Sequence, residues 1–211
     1  MKTIQAICFF SFLIIVTGCV SSDYSYREPE PVWKVENSIT VKQTKEKVWS
    51  KLVRGIGENF FVINNMDKQS GFLNVSYSGD PEKYVIGGYL HYEFSNARGK
   101  RVYDFPATKS LAQFETMVGG NYQSVTRKME LEGRMNILIT EVDSFNTSIT
   151  VNTRYILNMT VTGTDAMGRT LIPSQQTITF NTGQSGLSSG KGLYYASGEL
   201  EKTILDLVRY R

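Results

Sequence analysis

The amino-acid sequence predicts an α+β fold: a curved antiparallel sheet packed against one helix in the N-terminal half and a second at the C-terminus. Two observations carry this. Apolar residues recur roughly every 3.6 positions after Thr44 and again after Ser197, as on a helix with one buried face. Between those stretches apolar and polar residues alternate, most clearly over residues 149–161, as in a strand with one buried face.

In chain order, Trp33, Val35, Ile39 and Val41 suggest a first strand, interrupted near Asn37. Thr44 suits a helix N-cap, because its hydroxyl accepts from a free N–H of the first turn. Val48, Trp49, Leu52, Val53 and Ile56 then form one apolar stripe on a helix ending near Asn59. Gly55 and Gly57 weaken its last turn by about 1 kcal/mol each relative to alanine. They are expected to let the helix approach a sheet closely.

Residues 60–63 and the row Leu73, Val75, Tyr77 flank a turn over 64–71 and predict a hairpin, broken by Ser78-Gly79-Asp80-Pro81. Residues 84–94 and 101–105 predict a second hairpin around Asn96-Ala97-Arg98-Gly99. Leu111, Phe114, Met117 and Val118 suggest a short helix stopped by Gly119-Gly120.

The clearest inward row is Ile149, Val151, Tyr155, Leu157, Met159 and Val161, with Thr153 its one softer member. Residues 125–142 and 175–180 are its expected antiparallel neighbours. A strand of roughly 13 residues exceeds the usual 5–6, so strong curvature or a bulge is expected. Residues 183–192 read as a Gly/Ser loop. The closing helix has Ser197 as its cap and Glu199 and Glu201 in its first turn. Leu200, Ile204, Leu207 and Val208 share one face, and Arg209 and Arg211 stand where the helix dipole favours cations. No internal repeat divides the chain.

The N-terminus has a different character. Lys2 precedes a nearly uncharged run over residues 4–16, then Thr17-Gly18-Cys19. One cation, a short apolar core and small residues are the parts of a secretory signal peptide. That core is about a dozen residues long, against the roughly 20 that a spanning helix needs. Val16-Thr17-Gly18-Cys19 resembles the bacterial lipobox, in which an aliphatic residue and two small ones precede a cysteine whose thiol accepts a diacylglyceryl group. The resemblance implies cleavage between Gly18 and Cys19 and a lipidated first residue at Cys19. The alternative is an ordinary signal peptide that happens to contain a cysteine. No aspartate follows Cys19 in Val20-Ser21-Ser22. Under enteric-type sorting, the resemblance therefore points to the outer membrane, facing the periplasm.

The expected organisation is a signal peptide over 1–18, a lipidated cysteine and flexible tether over 19–31, and one α+β domain over 32–211. The tether is inferred from Ser21, Ser22, Ser25, Pro29 and Pro31. Its extended reach would be about 40 Å at roughly 3.3–3.6 Å per residue. The order strand, helix, antiparallel meander, helix is similar to the helix-grip modules of the lipoprotein C component of the outer-membrane β-barrel assembly machine. This resemblance covers residues 32–211, rests on architecture rather than a motif, and carries over no binding residue.

Composition narrows the function classes. The full chain has a formal charge of +3, and removing residues 1–18 takes away Lys2 and no acid, leaving +2. Nucleic-acid binding normally shows a basic face, and Arg98, Lys100 and Arg101 form only a short basic turn. Of the two cysteines, Cys8 lies in the signal peptide, so the mature chain cannot form an internal disulfide. Its stability must come from the core, to which the 12% aromatic content contributes.

No catalytic, metal or cofactor site is expected. Residues 186–191 imitate a phosphate loop, but Ser185 and Gly192 stand where that motif needs a glycine and a hydroxyl. His91 is the sole histidine, so a histidine-based triad or zinc site would have to use it. Its place beside Tyr89, Tyr92 and Phe94 suits a strand residue instead. Asp80, Glu82, Asp104, Glu130, Glu132, Glu141 and Asp143 could pair as acid and base, though strand carboxylates usually face water. Asn74, Asn146 and Asn158 head glycosylation sequons read as chance matches. Gly133 marks a bulge or a close approach, and beside it Arg134 is expected to pair across the sheet rather than bind an anion.

These features predict a membrane-anchored, non-enzymatic envelope interaction or assembly module. Its partners would be the membrane, through acyl chains, and an envelope protein, with no nucleic acid. The alternative is a carrier of a lipid or other apolar ligand, bound at unknown residues and lined by the abundant aromatics and methionines. An envelope hydrolase ranks last.

Overall fold

A computed structural model describes residues 20–31, 34–190 and 192–209. The proposed cleavage and lipidation positions Gly18 and Cys19 lie outside the described residues, as do Trp33, Lys191 and Arg211. The protein is mostly antiparallel sheet with two helices, as an α+β fold requires.

A long hairpin is the spine. Strand β9 (Asn121–Glu141) pairs with β10 (Thr147–Asp165) in unbroken register from Thr147↔Glu141 to Asp165↔Gln123. Each partner carries two shorter strands end to end on its outer edge. β9 holds β4 (Phe72–Gly79) and β8 (Leu111–Val118), and β10 holds β2 (Ser38–Val41) and β11 (Ser174–Asn181). Strand β3 (Val62–Asp67) completes the sheet beside β4. Odd-numbered residues of β9 and β10 face inward, among them Met135, Ile137, Ile149, Val151 and Leu157, and Thr153 keeps its inward place.

Helices α1 (Lys45–Gly57) and α2 (Glu199–Arg209) cover that inner face and touch each other. Thr44 caps α1, its hydroxyl accepting from Lys47 N at 3.4 Å. Ser197 Oγ accepts from Glu199 N at 3.2 Å at the start of α2. Gly133 is a close approach rather than a bulge. A Cβ there would lie 2.8 Å from Leu200 Cδ1, so the missing side chain lets α2 settle on the sheet. Gly55 serves helix-to-helix contact instead of the expected helix-to-sheet contact, since its Cβ would lie 2.9 Å from Leu207 Cδ2.

Two smaller sheets flank the spine. One orders β1 (Ser21–Arg27), β6 (Tyr89–Asn96) and β7 (Gly99–Pro106); the other orders β12 (Ser185–Leu187), β13 (Leu193–Ala196) and β5 (Val85–Ile86). Tyr92 of β6 stacks on Phe114 of β8 with ring centroids 3.9 Å apart, fastening the first small sheet to the large one.

Four expectations are corrected. The short helix at Leu111 is strand β8, because Ala112 and Phe114 point inward at alternate positions and Gly119-Gly120 forms a left-handed two-residue turn (φ 57° and 81°). The flexible tether over 20–31 contains β1, paired with β6 from Ser21↔Ser95 to Arg27↔Tyr89. A serine- and tyrosine-rich edge strand needs little burial, since main-chain pairing orders it. Of the strong curvature or bulge expected in β10, a bulge is absent from its pairing with β9; a register shift lies between Ile63 and Asn65 of β3. The loop 183–192 holds β12, whose Gly186 fits tightly against Phe180 and Ile178.

Candidate functional site

The three sheets meet at Arg127. It occupies an inward position of β9 between Val125 and Met129, and is only 4% exposed. A charge in such a row is costly unless fully paired. Arg127 Nη2 donates to the Ala107 carbonyl at 2.5 Å, with Tyr194 Oη at 3.5 Å, and Nε meets the Met159 sulfur at 3.2 Å. Its Nη1 is buried and has no hydrogen-bond partner.

Arg127 forms part of the wall of a cavity of about 250 Å³. Tyr24 and Tyr26 of β1, Tyr92 of β6, Phe114 of β8 and Tyr194 of β13 contribute aromatic surface, and among the described residues no acidic side chain lines it. Burial pushes the Tyr92 phenol up to about 12. Burial also raises Tyr24 and Tyr194, with the Arg127 charge pulling the other way. All three phenols are therefore neutral at pH 7, and among the described lining residues the guanidinium is the only full charge.

Tyr26 ties the surrounding strands together. Its hydroxyl accepts from Leu193 N at 2.9 Å and lies within donating distance of the Gly87 and Leu193 carbonyls, at 3.1 and 3.2 Å. Ser188 Oγ accepts from Gly192 N at 2.8 Å and closes the adjacent turn, so the phosphate-loop imitation is a local turn motif. A larger cleft of about 600 Å³, lined by Arg27, Glu28, Glu82 and Tyr89, opens at the other end of β1, where Arg27 stacks over the Tyr89 ring at 4.8 Å.

Comparison with family models, curated proteins and solved structures finds no match.

The other residues singled out in the sequence do not converge. His91 Nδ1 lies 2.6 Å from Asp104 Oδ1 and Nε2 lies 3.4 Å from Glu93 Oε1. The hydrogen bond to Asp104 raises the imidazole above its usual range. Both imidazole nitrogens thus face carboxylates, and Ser25 of β1 stands opposite His91 in the strand register. Arg134 pairs with Glu132 along its own strand at 2.6 Å, not across the sheet as expected, because both side chains lie on the outer face. Glu130 pairs with Lys128, and Asp80 and Asp143 accept from backbone N–H groups of their own turns. Among the described residues, no group of three or more His, Cys, Asp or Glu is placed to hold a metal ion.

Two of the three cations of the basic turn are paired locally. Lys100 pairs with Glu93 at 2.7 Å, and Arg101 pairs with Glu115. Burial acts to raise Glu115, but hydrogen bonds from Arg101, Tyr103 and Tyr122 outweigh it and hold the carboxyl below its usual range. Asn74 joins an outward ladder, receiving from Asn64 at 3.0 Å and donating to Asn136 at 2.7 Å, which gives its sequon a structural role.

Sequence reasoning missed two charged core residues. Arg127 sits between Thr126 and Lys128 and reads as surface charge, yet its parity with Val125, Met129 and Leu131 marks it as inward. Glu201 reads as a dipole-stabilising acid, yet it is 0% exposed. It lies next to Leu200 on the helix face that meets the sheet.

Proposed function

We propose that the chain is an acylated bacterial lipoprotein of the outer membrane, a non-enzymatic module seated close to the bilayer where it engages an envelope protein. One observation carries this: Val20 alone separates Cys19 from Ser21, the first residue of β1. Acyl chains on Cys19 would then join a hydrogen-bonded strand almost directly, without the 40 Å of slack that a free tether allows. A helix-grip arrangement of sheet and helices belongs to the same proposal.

The end of the molecule where β1 begins suits a lipid surface. Ser21 stands opposite Ser95 near the β6–β7 turn, Ser22 Oγ accepts from Met117 N at 2.9 Å, and Asp165 stands opposite Gln123. Three hairpin turns therefore share that end. They carry Val118, Met167 and Ile172, which are 54%, 81% and 95% exposed. Burying such side chains in the interface adds about 25 cal/mol per Å² to acyl-chain anchoring. Among the described residues no helix is long and apolar enough to cross a membrane.

Mass analysis of the mature N-terminus tests the anchor: the expected species begins at acylated Cys19, and a chain starting elsewhere or bearing a free thiol contradicts it. Crosslinking in intact envelopes tests the module, and recovery of no envelope protein counts against it. A second reading, a ligand carrier, is favoured by the cavity beside Arg127. The space between sheet and helices does not favour it, since Leu52, Ile56, Met135, Ile137 and Ile204 fill that interior.

A further inference from the structure

A guanidinium has five N–H donors and no acceptor, so a buried arginine needs several acceptors around it. Arg127 has one strong acceptor, the Ala107 carbonyl, the Met159 sulfur at Nε, and the more distant Tyr194 hydroxyl and Met129 sulfur at Nη2. Both N–H groups of Nη1 are unmet. Arg101, by contrast, reaches from β7 to β8 and is answered there by the Glu115 carboxylate. A buried charge without a counter-ion destabilises the fold, and a purely structural role at this position would be better filled by a methionine or leucine.

We propose that the Arg127 cavity binds a small oxyanion, a carboxylate or phosphate ester on a short apolar body, whose oxygen supplies the acceptor that Nη1 lacks. This rests on the carrier reading and narrows it to one site and one ligand class. The walls match both parts of such a molecule. Among the described lining residues Arg127 is the only full charge, while Leu90, Phe114, Met159 and Val161 offer apolar surface and the neutral phenols of Tyr24 and Tyr194 can donate to further oxygens. The volume of about 250 Å³ lies below the roughly 300–1,000 Å³ of drug-sized sites. It suits a small molecule and excludes a whole diacyl lipid.

Nη1 has less than 1 Å² of exposed surface, so it sits behind the cavity wall. The ligand reaches it when a wall moves aside. The wall residue assigned this movement is Tyr24, which is 50% exposed on β1, an edge strand whose ladder partner is β6.

The test is equilibrium dialysis of the full chain in detergent micelles against benzoate, phenyl phosphate and benzyl alcohol, with empty micelles as blank. At least one oxyanion should bind about tenfold tighter than the neutral alcohol, the effect of one charge-assisted hydrogen bond. Arg127→Met should abolish that preference while benzyl alcohol still binds. In the unaltered protein, the Arg127 side-chain N–H resonances should move with the preferred oxyanion and not with the alcohol, a readout that needs no variant. If all three probes bind equally, or if Arg127→Met retains the preference, the oxyanion inference falls while the carrier reading stands. If none binds, with water alone at Nη1, both fall.

Discussion

The Tyr155 hydroxyl donates to Glu201 Oε2 at 2.7 Å in the fully buried interior, binding the centre of β10 to the first turn of α2. Thr182 Oγ1 donates to the other carboxylate oxygen at 2.7 Å. Burial, then the neighbouring acid, raises the Tyr155 phenol far above its usual range, so it remains a donor at all working pH values. With both oxygens answered by hydroxyls, the acid needs no cation.

Tyr155→Phe removes one of those two donors and keeps the ring stacked on Phe180. It should destabilise the protein by about 1–3 kcal/mol, the cost of leaving a buried acceptor unmet. Urea unfolding checks this. In a Glu201→Leu background the same change should cost much less, because the acceptor is then gone.

Gly133→Ala should destabilise by about 1–3 kcal/mol through overpacking, since the new methyl would meet Leu200 Cδ1 at 2.8 Å. Shortening the opposing side chain with Leu200→Ala should make the pair less destabilising than the two single effects added. A thermal-unfolding double-mutant cycle reads that coupling.

Arg127→Met should raise the stability of the ligand-free protein by about 1–4 kcal/mol, as replacement of buried charge by an apolar side chain of similar length often does. The lost hydrogen bond to the Ala107 carbonyl works against this and keeps the gain at the lower end. Calorimetric unfolding of the two proteins, without added ligand, checks the sign.

His91 should titrate above its ordinary value of 6.5, because Asp104 and Glu93 favour the imidazolium. A folded-state value above the unfolded one stabilises the protein fully below about pH 6.5. That contribution is lost as pH rises through the folded value. As the sole histidine, His91 gives a single NMR titration whose midpoint should fall in Asp104→Asn.

The site was less legible in the sequence than the fold. The apolar rows that predict α1, α2 and β10 are local patterns, and each residue in them reports its own burial. Arg127 and Glu201 break those patterns, and composition assigns both to solvent. Their burial depends on distant partners: the Ala107 carbonyl for Arg127, Tyr155 and Thr182 for Glu201. The strand at Leu111 was read as a helix because Leu111, Phe114, Met117 and Val118 also fit a helical period over so short a run.

The sequence by itself determined the α+β class, most element positions and the inward parity of the long strands, because a side chain's face follows from its spacing along the backbone. Tertiary structure alone decided that residues 21–27 join a sheet, that Gly133 admits α2, and that three sheets close around Arg127. Those outcomes depend on which segments meet across long sequence separations. Edge pairing and close packing are settled by the partner's surface, which local periodicity does not encode.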